Sequence, residues 1–490
     1  MTAKVLMVQG TSSDAGKTLI TAGLCRLFVD EGFSVFPFKS QNMSSNSHVL
    51  PTGEEMSRAQ VLQAEAARRQ PDVRMNPVLL KPVEDSKSQV YVNGNFHKLL
   101  KAVDYYAYKA ALKPIIKGIF DEVSNENNLV ILEGAGSPAE INLNEHDFVN
   151  MGMAEMADSP VILVADIDRG GVFASIYGTI KLLKPAEQER IKGVIINKFR
   201  GDIRLLDDGL RMIEELTGVP VIGVIPYIDL ELESEDSLAL NHAATQFDTS
   251  KQIDIAILEF KHMKNFSDLN SLSIYEDVSI RYIKKLDQTG KPDILIIPDT
   301  QALESNLERL KEAGWVKVLK KLLEQGTRII SLGLGSQLLS REIIKVDQTS
   351  LEGLGLIETT TKLLENPHLQ QIKGSDNHQN LTGLVAQVAS MTYNDEVKAF
   401  IQDENVVDGI TTHGGQLIGT SINGLFENLA WTRQYLNDIR IEKGLTPLEA
   451  PQQSYNDFKD TQYDKLAHHL SEHIDLKALK AIIQLELNLA

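Results

Sequence analysis

The chain of 490 residues contains one cysteine, Cys25. An intrachain disulfide, a multi-cysteine zinc site and a Cys-x-x-Cys redox centre are thereby excluded. Long apolar runs are missing as well. The longest, such as Val161 to Ala165, are strand-sized and fall short of the ~18–20 residues that carry a helix across a bilayer. Basic residues are in deficit: 67 Asp and Glu stand against 49 Lys and Arg, a formal charge of −18. Such a charge repels nucleic acid and acidic membranes unless a local basic patch intervenes. The N-terminus runs directly into a strand and a glycine-rich loop, without the basic, apolar and small-residue sections of a secretory signal. A cytoplasmic protein is expected, with neither nucleic acid nor membrane among its partners.

What is present is an ordinary globular composition, 42% apolar and 24% charged, in a chain long enough for about three domains. Short apolar runs recur between helical-period stretches, from Val5 to Val8, Ser34 to Phe38, Leu129 to Leu132, Val161 to Ala165, Gly193 to Ile196 and Val221 to Val224. Residues that are apolar in succession suit strands buried on both faces, joined by helical crossovers. A doubly wound α/β domain is therefore expected over residues 1–232. Asp229 to Ser237 reads DLELESEDS, and residues 233–250 are read as an acidic, polar linker. A second strand series starts at Ile253 and continues through Asp293 to Ile297 and Arg328 to Leu332, giving a second α/β domain over 251–448. The remaining 449–490 is expected to be a helical tail, with Leu466, Leu470, Ile474, Leu479, Ile482 and Ile483 at amphipathic spacings. His468, His469 and His473 on that tail lack a further ligand type nearby and are read as a solvated face.

Gly10-Thr11-Ser-Ser-Asp14-Ala-Gly16-Lys17-Thr18 follows an apolar strand and opens a helix from Leu19 to Asp30. Such a loop aims backbone N–H groups and a helix N-terminus at anionic oxygens; the lysine neutralises phosphate and the threonine reaches magnesium. The loop is one residue longer than the usual phosphate-loop pattern. A magnesium-nucleotide site also needs carboxylates at the ends of neighbouring strands, and Glu133 in LEGAG and Asp166 and Asp168 in ADIDRGG stand at two such corners. Cys25 lies within the loop's helix beside Leu24 and Leu27, where a packed core thiol is the expectation.

The stretches Phe36 to Met43 (FPFKSQNM), Met75 to Pro82 (MNPVLLKP), Glu133 to Leu143 (EGAGSPAEINL) and Asp166 to Phe173 (DIDRGGVF) resemble the cobyric acid synthase family, the glutamine-dependent amidoligases of cobalamin biosynthesis. The N-terminal domain of that family is similar to dethiobiotin synthetase, whose phosphate loop has the same extra residue. The resemblance implies a P-loop parallel-sheet domain followed by an α/β domain of the class I glutamine amidotransferase type. It implies that ATP activates the b, d, e and g carboxylates of adenosylcobyrinic acid a,c-diamide and that ammonia displaces phosphate, giving cobyric acid. Lys17 and Glu133 would be catalytic, and Gly10, Thr11, Asp14, Gly16, Lys17 and Thr18 would bind nucleotide. Thr18 and Glu133, with Glu55 as a further acid, would hold Mg2+. Lys39, Gln41, Asn42, Asn76 and Lys81 would face the corrinoid polycarboxylate, turn and cap chemistry being the alternative for each amide. Lys17, Lys39 and Lys81 would make the cleft locally basic.

In the second domain the flanks of the family's glutaminase motifs survive, in IISLGLGSQLL (Ile329 to Leu339) and GTSINGLF (Gly419 to Phe426). By the resemblance, Gly333 stands where the cysteine nucleophile belongs and Asn423 where the histidine belongs. Asp299, in IPDTQ, replaces a glycine whose N–H would help bind the oxyanion. Glycine has no nucleophile and asparagine is no base at neutral pH, so thiol-based glutamine hydrolysis is expected to be lost. Ser331, Ser336 and His413 could rebuild a serine glutaminase only with an aligned base and oxyanion hole. Ammonia, free or from a separate glutaminase, would then be the nitrogen donor, and self-association is compatible with the sequence. Two other readings fit the same residues: an amidoligase for another polycarboxylate tetrapyrrole, and a nucleotide-binding scaffold without catalysis.

Overall fold

The structure, a computed structural model, describes residues 2–44, 47–50, 52–84, 87–232, 245–260, 263, 266–300, 302–375, 379–393, 396–402 and 407–485. Most of the acidic linker, Ser45 and Gln301 lie outside the described residues, as does the side chain of His413. The chain divides into two compact units, residues 1–50, 54–235 and 459–490 in the first and 51–53 and 236–458 in the second.

The first unit is built on six strands, β1 (Lys4–Gly10), β2 (Val35–Phe38), β3 (Leu129–Glu133), β4 (Val161–Asp166), β5 (Ile191–Phe199) and β6 (Val221–Pro226). They pair in the order β6-β5-β4-β1-β3-β2, and every pairing is parallel. Side chains alternate across a strand, so each apolar run feeds two cores. Met7, Val130, Leu132, Val161 and Leu163 face one core, and Leu6, Val8, Leu129, Ile131, Ile162 and Val164 the other. Double-sided burial is why these strands read as unbroken apolar runs. A four-stranded side sheet, Gln41–Met43, Val78–Glu84, Lys87–Val92 and Asn95–Lys101, adds a layer that the periodicity did not reveal.

Helix α1 (Lys17–Asp30) leaves the phosphate loop, and α2 (Arg58–Ala66) packs against it. The C-terminal helices α3 (Tyr455–His473) and α4 (Leu476–Ile482) bring Tyr463, Leu466, Leu470, Ile474 and Leu479 into the same core as Leu24, Cys25 and Phe28 of α1. A Cβ on Gly23 would lie 2.4 Å from Leu470 Cδ1, so the missing side chain lets the helices approach closely. Arg26, fully buried, pairs with Asp460 and, at 3.5 Å, with Asp464, and its guanidinium lies 5.4 Å from the Tyr463 ring centre. The tail thus holds the helix that carries the phosphate loop. Leu470→Ala is expected to lower the stability of the full chain by about 2–5 kcal/mol, the usual cost of truncating a buried leucine, read as an earlier urea midpoint. An unchanged midpoint would show that the tail does not brace α1. Cys25 is a core thiol: burial, aided by the charge of Glu133, pushes it well above the ordinary thiol range. His469 and His473 are half-buried and bond to the carbonyl oxygens of Pro226 (2.9 Å) and His469 (2.8 Å), rather than forming a fully solvated face.

The second unit has its own six-stranded sheet from β7 (Ile253–Leu258), β8 (Val278–Ile283), β9 (Ile294–Ile297), β10 (Arg328–Leu332), β11 (Ile410–Thr412) and β12 (Leu417–Thr420). The order is β8-β7-β9-β10-β12-β11, parallel except for the edge strand β11. A long antiparallel hairpin, Ile357–Ser375 with Asn380–Met391, belongs to a separate sheet of this unit. Among the described residues no helix is long and apolar enough to cross a membrane.

Candidate active site

The phosphate loop leaves the carboxyl end of β1, between β3 on one side and β4 on the other, which is the switch point where open α/β sheets bind ligands. Gly16 adopts φ +99°, and a Cβ there would fall 2.1 Å from Asn197 Nδ2, which donates to the Ala15 carbonyl oxygen at 3.0 Å. Only glycine fits both constraints. Helix α1 opens with no side-chain cap and no acid in its first turn, so its N-terminal amides remain suited to an anion. Lys17 folds back over the loop and donates to the carbonyl oxygens of Ser12 (2.9 Å) and Gly136 (3.0 Å). A Cβ on Gly10 would lie 2.9 Å from the Lys17 Nζ, which explains the glycine at the strand end. Thr11 continues the strand pairing through its N–H to the Val164 carbonyl oxygen, 2.9 Å.

Glu133, at the end of β3, is the centre of the site. Its side chain is fully buried. Oε1 accepts from the Thr18 hydroxyl and the Lys39 ammonium, both at 2.9 Å, and Oε2 accepts from the Gln63 amide. The structure therefore joins Lys17, Thr18, Lys39 and Glu133 from three separate stretches of chain. Gln63 was missed by sequence reasoning. Its only signal is that Gln60 and Gln63 stand three apart on α2, a helix of nine residues whose polar members other than Glu65 are buried with the rest.

The other residues lie around this centre. Asn42 Nδ2 donates to Ser57 Oγ (2.6 Å) and Gln60 Oε1 (3.3 Å). Asn76 accepts from the Ser57 N–H (3.1 Å) and donates to the carbonyl oxygens of Lys39 (3.2 Å) and Val78 (3.0 Å), tying the loop together. Gln41 accepts from the Tyr105 hydroxyl. Lys81 and Ser47 both donate to Glu55 Oε2, so Glu55 holds Lys81 in place. The expected basic cleft is thus less basic than a count of lysines suggests, because Lys39 and Lys81 each face a carboxylate. Asp166 accepts from Lys198 Nζ at 2.8 Å and from the Asp168 N–H at 2.9 Å, while Lys198 also donates to the Asp14 carbonyl oxygen at 2.6 Å. Arg169 reaches the Asp14 carboxylate at 2.9 Å. The second acidic corner therefore braces the phosphate loop through Lys198 and Arg169. The donors fit a nucleotide with a hard divalent cation: the Thr18 hydroxyl and Glu133 carboxylate offer oxygen beside a lysine and a helix N-terminus, and magnesium takes one or two such ligands together with phosphate oxygens. No cluster of three or more His, Cys, Asp or Glu suited to a metal is present among the described residues.

In the second unit, Gly333 follows β10 in the left-handed region, φ +53°. This is the sharp strand-to-helix turn on which a nucleophile would be displayed. A Cβ at Gly333 would lie 2.2–2.6 Å from the Asp299 carboxyl atoms. Asp299 Oδ1 accepts from the N–H groups of Leu334 and Thr300, both at 2.8 Å. Asp299 therefore fills the space a nucleophile would take and engages the N–H that follows it. Asn423 pairs with Leu384 on the hairpin sheet. Ser336 donates its hydroxyl to the Gly333 carbonyl oxygen (2.7 Å), and Ser331 is wholly buried.

Comparison with known proteins agrees with both units. Residues 6–238 match the CobQ/CobB/MinD/ParA nucleotide binding domain, and residues 254–431 the CobB/CobQ-like glutamine amidotransferase domain. The chain is 50% identical to a cobyric acid synthase of Streptococcus sanguinis, covering 99% of each protein. It is 45% identical to one of Limosilactobacillus reuteri, covering 99% of each, and 43% identical to one of Yersinia enterocolitica, covering 98% of each. With identity of that order along nearly the whole of both chains, this chain belongs to the cobyric acid synthase family.

Proposed function

We propose that the chain is an ATP-dependent carboxylate amidoligase that converts adenosylcobyrinic acid a,c-diamide to cobyric acid. A substrate carboxylate attacks the γ-phosphorus of ATP, ADP leaves, and ammonia displaces phosphate from the acyl phosphate to leave the amide. The observation that carries the reading is the junction of Thr18 and Lys39 on Glu133 Oε1 beside the phosphate loop, in a chain of this family. Lys17 would leave its carbonyl partners for the β and γ phosphates, with Gly10, Thr11, Asp14 and Gly16 shaping the loop. Thr18 and Glu133 would hold Mg2+, which when bound neutralises phosphate charge; Glu55 is the more distant acidic candidate. Positioning and charge stabilisation supply most of the catalysis in phosphoryl transfer. Gln41, Asn42 and Lys81 would line the substrate side, and Asn76 would fix the loop that presents Lys39.

The nitrogen would arrive as ammonia, since Gly333, Asp299 and Asn423 leave the second unit without nucleophile, open oxyanion site or base. The test supplies the full chain with ATP, Mg2+, the diamide and either ammonium or glutamine. Amidation with ammonium and none with glutamine is expected. No amidation with ammonium would sink the amidoligase reading, and glutamine-dependent turnover would sink the loss of glutaminase. Turnover of a different polycarboxylate tetrapyrrole in preference to the diamide would reassign the substrate alone.

A further inference from the structure

The helix Ala102–Glu126 buries Leu112, Ile116, Ile119, Phe120 and Val123 in the core of the first unit, at the spacing of one helix face. Continued towards the N-terminus, that face runs through Lys109, Tyr108 and Tyr105, all half-buried. Leucine would serve packing alone, yet each of these side chains carries a polar tip. The Tyr108 hydroxyl meets His97 Nε2 at 2.8 Å, on the last strand of the side sheet. The Tyr105 hydroxyl donates to Gln41 Oε1 at 2.5 Å. Lys109 Nζ lies 5.1 Å from the ring centre of Phe148 and 5.9 Å from that of Tyr106, and the Phe148 carbonyl oxygen accepts from Ser40 Oγ at 2.8 Å. Tyr105 and Lys109 therefore bear on Ser40 and Gln41, directly after the Lys39 that pairs with Glu133.

Lys39 and Lys81 are each engaged by a carboxylate of the chain, so a polycarboxylate ligand of this acidic protein calls for positive charge from another element. Between Phe96 and Lys113 four lysines stand against one acid, Asp104, and Lys109 is the one on the face that reaches the site. Its stem runs among aromatic rings, as amphipathic lysines lay their methylenes on apolar surface and keep the head for a polar partner. Burial draws the Lys109 ammonium below its ordinary range, opposed by the charge of Asp147, whose own oxygens accept from the N–H groups of Val149 and Gly152, both at 2.7 Å. We propose that Lys109 binds a peripheral carboxylate of the corrinoid, and that Tyr105 is a positioning residue that turns the Gln41 amide so that its Nε2 donor meets the substrate. An amide whose oxygen is taken by a hydroxyl has its N–H groups to offer, and the carboxylates and amides on the rim of the macrocycle accept through oxygen. Both roles rest on the corrinoid substrate proposed for the first unit.

Equilibrium dialysis of the full chain against the a,c-diamide, followed by corrinoid absorbance, gives the dissociation constant; that of ATP with Mg2+ is measured alongside. Lys109→Met keeps an unbranched stem and removes the charge, and a rise of about tenfold or more in the diamide constant is expected, the scale of a hydrogen bond to a charged group. Tyr105→Phe removes only the hydroxyl and should raise it about threefold to tenfold, the scale of an ordinary hydrogen bond. The ATP constant should stay unchanged in both. Tyr108→Phe, which loses a hydroxyl from the same helix face, should change neither constant. Undiminished diamide affinity in Lys109→Met or Tyr105→Phe overturns the proposal, and so does equal weakening of ATP or an equal effect of Tyr108→Phe, either of which would make the helix a mere support for the loop. Diamide bound but not amidated by the unchanged chain sinks the amidoligase reading alone, whereas no diamide binding by the unchanged chain overturns both. Should Lys109→Met fail to fold, Tyr105→Phe decides by the same comparison.

Discussion

Glu133→Gln is expected to lower ammonium-dependent amidation by roughly 10²–10³-fold, the scale at which a preorganised electrostatic contact contributes to a transition state. The reason lies in the geometry of acceptance. The carboxylate of Glu133 takes hydrogen bonds from three donors, Thr18 and Lys39 on one oxygen and Gln63 on the other. Glutamine offers one oxygen and one NH2, so at least one donor would face another donor. The buried ammonium of Lys39, 4% exposed at its side chain, would also lose the anion it pairs with. Removing one member of a buried pair costs about 3–5 kcal/mol, so Glu133→Ala should lower stability as well as rate. Circular dichroism and ATP binding separate the two effects. Activity within about threefold of the unchanged chain, a loss below 1 kcal/mol, would remove Glu133 from the reaction.

The second large effect concerns the glutaminase elbow. Gly333→Cys alone is expected to yield no glutamate from glutamine, and it should destabilise the second unit by about 1–3 kcal/mol through overpacking. Its Cβ would lie 2.2–2.6 Å from the Asp299 carboxyl atoms. A thiol placed there would also meet a carboxylate that disfavours the thiolate. In Gly333→Cys with Asp299→Gly the collision is gone and the Leu334 N–H is released. The new thiol should then react with iodoacetamide while buried Cys25 does not. Hydrolysis still requires a base, so Asn423→His is needed as the third change. Glutamate release by the unchanged chain would refute the loss of glutaminase. Equal alkylation of Gly333→Cys with and without Asp299→Gly would refute the steric account.

Much of the fold was legible because parallel strands buried on both faces leave uninterrupted apolar runs, and all six such runs in the first unit lie in one sheet. The side sheet and the long hairpin were not, since strands such as Asn95–Lys101 are largely exposed and carry no comparable apolar run. At the site, Lys17 and Thr18 were readable from a contiguous loop and Glu133 from its strand-end corner. Gln63 was not, because a buried glutamine in a helix differs from a surface one only by what it touches.

The sequence by itself determined the absences: one thiol, no glycine-borne nucleophile at position 333, and no imidazole at 423. Those are matters of which atoms exist, and no folding can supply them. The tertiary structure decided which charges meet. It set Lys39 against Glu133 and Lys81 against Glu55, and it placed Asp299 in the space a cysteine would need. Such pairings depend on distances of a few ångströms between residues up to about a hundred positions apart, across strands whose order only the folded sheet establishes.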